Sequence, residues 1–275
     1  MMAWSLGSPD EGPTPTEPRG SSTGVRVVTV GTGTGVPRLD RRGPCTLIEA
    51  PGCRMVMDLG LGALHGLLAL GISHRDVDAV VFTHLHPDHT AEFVSFLFAA
   101  RYDENPRCRP LSVVGGPGTG RFLEALSGAY GRWIEPAGYR LSVHELKPGG
   151  AVDLGPWRLR AGRVAHTPSS VAWRVETAGF ALGITGDTGP CPALGRFVQG
   201  VDLLVAEASL PEGEEFEYHL TARQAGDLAR EARAGRLVLH HLYPASDAAD
   251  PGRHAAEAFG GAVVVARDGM TVWPG

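Results

Sequence analysis

Thr83-His84-Leu85-His86-Pro87-Asp88-His89-Thr90 places three imidazoles and one carboxylate within six residues, directly after the apolar run Ala79-Val80-Val81-Phe82. No single regular element aims all four at one point: a strand sends His84 and His86 to one side, and a helix does not follow Pro87 smoothly. A strand running into a tight loop and then a helix start can do so. Imidazole and carboxylate without cysteine is the donor set of zinc or a similar divalent ion in a hydrolytic site, because structural zinc recruits thiolates. The plain alternative is a solvated polar turn, which holds for a histidine-rich loop that nothing else in the chain answers.

The 275 residues, 43% of them hydrophobic, suffice for one large domain or two small ones with a substantial core. A net charge of −5 supplies no global basic field for nucleic acid, so an RNA substrate would need a local basic patch. Cys45, Cys53, Cys108 and Cys191 form no C-x-x-C pair and are too scattered for a disulfide framework, which suits a reducing cytosol and small buried hydrophobes. There is no run of roughly 20 apolar residues and no basic N-terminal region followed by an apolar one, so no membrane partner is expected and a cytoplasmic location is.

Residues 1–24, rich in Pro, Gly, Ser, Thr and acidic residues, read as a disordered tail, and 25–275 as one domain. A β-branched strand over 25–30 feeds Gly31-Thr32-Gly33-Thr34-Gly35. This is no dinucleotide fingerprint, since Val36-Pro37-Arg38 follows where a helix should open; a turn bringing backbone close to a pocket is expected. Strands over 45–50 and 54–58 form a hairpin at Pro51-Gly52, leaving Asp58 as a salt-bridge partner or as a carboxylate orienting a ligand histidine. A helix is expected over 61–70, and the apolar 93–98 reads as a deeply buried helix. Another spans 120–130. Strands over 141–146, 151–154, 157–163, 171–177 and 180–185, split by Gly and Pro, suggest an antiparallel sheet. A strand over 201–206 ends in Glu207. Thr221 and Gln224 form a capping box opening a helix, with His219 just before it. A strand over 236–239 enters His240-His241, and 262–266 with 270–273 reads as a closing hairpin over Asp268-Gly269.

His166, Asp187 and His241 each follow such a strand, so four loops at strand ends carry histidine or aspartate. This ordered set resembles the metallo-β-lactamase superfamily, whose H-x-H-x-D-H pattern is matched by His84, His86, Asp88 and His89, and whose later ligand positions are matched by His166, Asp187 and His241. The resemblance covers about residues 25–273 and implies an α/β fold, the four-layer αβ/βα sandwich with metals at one edge. It further implies two divalent ions, expected as Zn2+: His84, His86 and His166 on one, Asp88, His89 and His241 on the other, and Asp187 bridging. A hydroxide shared by the ions would be the nucleophile, with Asp88 orienting it. His240 is the alternative to His241.

Within the superfamily, four further pieces resemble ribonuclease Z and its phosphodiesterase relatives. They are Val30-Gly31-Thr32-Gly33-Thr34-Gly35-Val36-Pro37, Met57-Asp58-Leu59-Gly60, Glu207-Ala208-Ser209, and His219-Leu220-Thr221-Ala222 followed by Gln224-Ala225. That likeness implies that His219, backed by Glu207, protonates the leaving oxygen or stabilises the phosphoryl group; a surface or helix-start histidine is the plain alternative. Ribonuclease Z carries a basic tRNA-binding arm between the positions of His166 and Asp187, which here stand 21 residues apart with two strands in between. A tRNA substrate is therefore not expected. The expected function is a dinuclear metal-dependent phosphodiesterase acting on a small anionic substrate. Arg38, Arg41 and Arg42 could hold one anionic group, or be a solvated run. The alternatives are a lactone or thioester hydrolase on the same metals, with Tyr243 as a donor, and a mononuclear iron redox protein of the same fold. A homodimer is left open.

Overall fold

The computed structural model describes residues 24–214 and 216–274; the tail expected over 1–24 lies, Gly24 apart, outside the described residues. The first half of the chain supplies β1 (Arg26–Gly31), β2 (Cys45–Ala50), β3 (Cys53–Met57), β4 (Ala79–Val81), β5 (Leu111–Gly115) and β6 (Leu141–Glu145). The second supplies β7 (Ala151–Leu154), β8 (Trp157–Gly162), β9 (Ala172–Thr177), β10 (Phe180–Ile184), β11 (Leu203–Glu207), β12 (Arg236–His240), β13 (Ala262–Val265) and β14 (Met270–Trp273). Two seven-stranded sheets result, ordered β14-β1-β2-β3-β4-β5-β6 and β13-β12-β11-β10-β9-β8-β7. Helices α1 (Ala63–Ala69), α2 (Pro87–Thr90), α3 (Phe93–Tyr102) and α4 (Thr119–Tyr130) belong to the first half, and α5 (Pro192–Phe197), α6 (Ala222–Ala232), α7 (Pro244–Ala248) and α8 (Pro251–Phe259) to the second.

The layering follows from strand alternation. In β4, Ala79 and Val81 face a core shared with Met55, Trp157, Trp173 and Leu182, whereas Val80 joins Phe82, Phe93 and Phe96 in a separate outer core. In β11, Leu203 and Val205 face the shared core, while Leu204 and Ala206 join Ala225, Ala229 and Ala232 of α6 in a third. Each central strand is thus buried on both faces, which is why it reads as a continuous apolar run. Trp173 ties the sheets together, its indole N–H donating to the Phe82 carbonyl at 3.0 Å. The architecture is the expected αβ/βα sandwich.

Four local expectations need correction. β6 pairs parallel with β5 in the first sheet, so only β7 to β10 form the antiparallel run. The 262–266 and 270–273 strands are no hairpin: β13 pairs with β12 and β14 with β1, so each closes the edge of a different sheet. The Asp268 carboxylate anchors the crossing by accepting from the backbone N–H groups of Thr32 and Arg42 at 3.0 and 2.6 Å. Phe98 of α3 turns outward, 46% exposed, because the helix has an open face; there it packs on Tyr102. Cys45 and Cys53 are buried as expected, but Cys108 is exposed and Cys191 partly so.

Candidate active site

The candidate donors leave strand ends at one edge of the sandwich: His84 to His89 after β4, His166 after β8, Asp187 after β10 and His241 after β12. Pro87 at the first position of α2 makes His86 its extended N-cap, the turn that brings the two pairs of this stretch together. His241 adopts a left-handed φ of 53°, which separates it from His240. His240 ends β12 with its ring buried against the Gly31 backbone, and burial, with help from His241, pushes its pKa down to about 3.

Four rings are held from outside through Nδ1. Thr83 Oγ1 lies 3.1 Å from that atom of His84, Asp58 Oδ2 2.8 Å from His89, the Tyr218 carbonyl 3.0 Å from His166, and Ser209 Oγ 2.9 Å from His241. Such outer partners fix ring orientation and leave Nε2 free for a ligand. Asp58 also accepts from the Thr83 N–H and hydroxyl, both at 2.8 Å, so the two roles left open for it resolve in favour of orienting a histidine.

The free nitrogens converge. His89 Nε2 and His241 Nε2 stand 3.3 Å apart, and His166 Nε2 and His86 Nδ1 3.2 Å apart. Nitrogens about a tetrahedral zinc at 2.0–2.1 Å are themselves roughly 3.3 Å apart. Asp187 lies between the groups: its Oδ2 is 3.7 Å from His84 Nε2 and 3.9 Å from His166 Nε2, and its Oδ1 is 3.4 Å from His89 Nε2 and 3.6 Å from His241 Nδ1. His84 Nε2 and Asp187 Oδ1 are buried without a hydrogen-bond partner. An orphaned buried polar atom costs about 1–3 kcal/mol, which a bound cation relieves. Among the described residues, His84, His86, His166 and Asp187 offer ligand atoms all within 4.8 Å of one another, Asp88, His89 and His241 form a second such group, and Asp187, His219 and His241 a third. A divalent metal fits this donor set.

The electrostatics differ from ring to ring. Burial, reinforced by the neighbouring imidazoles, holds His84 well below its usual pKa, hence neutral and ligand-competent. Burial also lowers His166. For His89, burial is outweighed by the Asp187 and Asp58 carboxylates and the pKa is raised. Asp88 and Asp187 are held below the carboxylate range, because His241 and His89 overcome the desolvation of each.

His219 stands at the rim. Its Nδ1 lies 3.0 and 3.2 Å from the two Glu207 oxygens, and its ring is 5.2 Å from that of His166 and near-parallel to that of His241 at 6.1 Å. Glu207, buried at the end of β11, also accepts from the N–H groups of Thr188 and Leu220 at 2.6 and 3.3 Å. Burial alone would lower the His219 pKa, but the Glu207 hydrogen bond and charge raise it. The glycine loop closes the other side, so near that a Cβ at Gly35 would lie 3.5 Å from that of Asp88.

The arginines do not fit the role of anion holder. Arg41 is buried in a two-pronged pair with Asp247 at 2.8 and 2.9 Å, Arg38 pairs with Asp40 and Asp247, and Arg42 with Asp268. Thr83, Ser209 and the Tyr218 carbonyl carry no role in the sequence reading, since each becomes an outer partner only through contacts the fold creates. Tyr243 packs edge-on to His241 at 5.9 Å.

A family model described as "Beta-lactamase superfamily domain" matches residues 56–242. The curated protein named Ribonuclease Z from Mycobacterium marinum is 31% identical over 274 residues, spanning 89% of this chain and 96% of that protein. Its namesake from Mycobacterium bovis is 31% identical over 277 residues with the same coverage. Among solved structures, the metallo-beta-lactamase fold protein YhfI from Bacillus subtilis superposes with a TM-score of 0.79 at 22% identity, covering 91% of this chain and 99% of that one. The short form of human tRNase Z gives a TM-score of 0.74 at 22% identity, covering 90% and 98%. These two structural likenesses concern the fold.

Proposed function

Because the chain belongs to the metallo-β-lactamase superfamily, as a hydrolase of its ribonuclease Z-like type, we propose that it is a phosphodiesterase working with two divalent metal ions. His84, His86 and His166 would hold one ion, Asp88, His89 and His241 the other, and Asp187 both. Zinc suits these nitrogen-rich, thiolate-free donors. The ions supply Lewis acidity, polarising a phosphoryl oxygen and bringing the ionisation of water toward neutrality. The protein's own groups do the rest. Asp88, on the rim with its carboxylate 3.3 Å from His241 Nε2, orients the attacking water by accepting its hydrogen. His219, its Nδ1 engaged by Glu207, donates the Nε2 proton to the leaving oxygen.

The observation that carries this reading is the His219–Glu207 pair set beside the donor cluster. A departing alkoxide is a strong base and needs a proton donor at that place. The curated relatives' name favours a second reading, cleavage of an RNA. Against it stand the net charge of −5 and the interval between His166 and Asp187, which holds β9 and β10, where a basic phosphate-tracking arm would have to be inserted.

The test is hydrolysis of bis(p-nitrophenyl) phosphate and of a precursor tRNA at physiological salt by zinc-loaded protein. We expect turnover of the first and not the second, and in His219→Ala, with metal content unchanged, a loss of kcat of roughly 10²- to 10⁴-fold on a dinucleoside phosphodiester, whose leaving group is an alkoxide, against little change on the p-nitrophenyl ester, whose phenolate leaves without a proton. Undiminished turnover of the dinucleoside phosphodiester in His219→Ala removes that residue from the mechanism, and processing of the tRNA replaces the small-substrate reading with the RNA one.

A further inference from the structure

Just before His219, Phe216 and Tyr218 stand 54% and 40% exposed. A single exposed aromatic needs no explanation, but these two form a wall. Their rings are 5.4 Å apart at 76°, and the Phe216 ring lies near-parallel to His219, at 21° and 6.4 Å. Across a cavity of about 410 Å³ they face His86, His166 and Pro168. The wall is anchored. The Tyr218 carbonyl accepts from His166 Nδ1 at 3.0 Å, and the Glu217 carbonyl rests so closely on Gly189 that a Cβ there would lie 1.8 Å from it. Phe216 and His219 also form an antiparallel bridge.

We propose that this wall is a stacking subsite for a planar ring carried by the phosphate ester, with a nucleobase as the biological class of ligand. The inference rests on the phosphodiesterase reading and specifies its substrate. Glu207 holds His219 Nδ1, so Nε2 is the atom left to face a reacting phosphoryl group, and the near-parallel Phe216 ring stands 6.4 Å from that imidazole, beside the path of a substituent on the phosphate. The cavity lining contains neither lysine nor arginine, so away from His219 it offers a phosphate no counter-charge, whereas two rings at steep angles offer a planar group one face and one edge. Its volume lies within the range of small-molecule sites. Stacking on protein aromatics strengthens binding by roughly 5- to 100-fold per base and is tolerant of base identity.

Calorimetric binding of adenosine 5′-monophosphate and of ribose 5-phosphate to the zinc-loaded protein tests this directly. The base-bearing ligand should bind tighter by roughly 5- to 100-fold. That preference should collapse in the Phe216→Ala/Tyr218→Ala double variant and persist in Phe216→Tyr, with zinc content unchanged in both. Equal affinities in the wild type, no binding of the nucleotide, or a preference that survives the double variant would overturn the subsite. So would a double variant that alters only the association state by sedimentation, which would assign the wall to a second copy of the chain. Turnover of bis(p-nitrophenyl) phosphate, measured in parallel, separates the two ideas. A base preference without turnover contradicts the phosphodiesterase reading, and turnover without a base preference contradicts the subsite alone.

Discussion

Asp58 shows how much one side chain outside the metal-facing set can govern. It sits at a left-handed φ of 61°, a conformation that aspartate and asparagine tolerate, and it gathers Thr83 and His89 Nδ1 at once. Asp58→Asn keeps the shape but removes the charge that fixes the His89 ring. Zinc affinity, measured by competition with a chelator, should fall by roughly 10- to 100-fold with the far-ultraviolet dichroism unchanged. Unaltered affinity would reduce Asp58 to a structural role. The donor stretch His84 to His89 is legible in the sequence because all its groups lie within one turn of chain. The role of Asp58 is not, because the parallel pairing of β3 with β4 is what brings it beside Thr83. Likewise the charges of Arg41 and Arg42 are taken up by carboxylates 206 and 226 residues away, which no local pattern announces.

At the scale of elements, local signals succeed where they need no partner. The Thr221 box forms as read, with Thr221 Oγ1 accepting from the Gln224 N–H at 3.3 Å and Gln224 Oε1 accepting from the Thr221 N–H at 2.9 Å. Asp268-Gly269 is an equally strong local sign of a hairpin, yet tertiary pairing overrides it, β13 extending the sheet at β12 and β14 the other sheet at β1. Packing between α6 and α8 gives a case in which two effects oppose. Alanine is favoured over glycine inside a helix by about 1 kcal/mol, but a Cβ at Gly226 would lie 2.5 Å from the Ala255 carbonyl oxygen and 2.9 Å from Ala258 Cβ. Backbone yields poorly, and overpacking costs about 1–3 kcal/mol. Gly226→Ala should therefore lower the melting temperature; a rise would show that α8 moves aside freely.

At the scale of the molecule, the two sheets are joined near the site by Arg41, whose guanidinium donates to Thr32 Oγ1, the Ala266 carbonyl and both oxygens of Asp247. The pair is partly buried, so removing one partner costs less than the roughly 3 kcal/mol of a fully buried one. Asp247→Asn should thus melt several degrees below wild type at pH 7. Burial opposes ionisation of Asp247, but Arg41 and Arg38 hold its pKa below 3.8, so its stabilising effect is complete above that value and lost as the pH falls through the lower folded-state value. The gap in melting temperature between variant and wild type should close in that acidic window; a gap independent of pH would show that charge is not the cause. Among the described residues no helix is long and apolar enough to cross a membrane. The central claim is that one edge of this sandwich binds two ions around Asp187, and zinc stoichiometry at saturation tests it most directly. Two ions per chain in the wild type, falling to one in His241→Ala, is the predicted result; a single ion per chain in the wild type would contradict it.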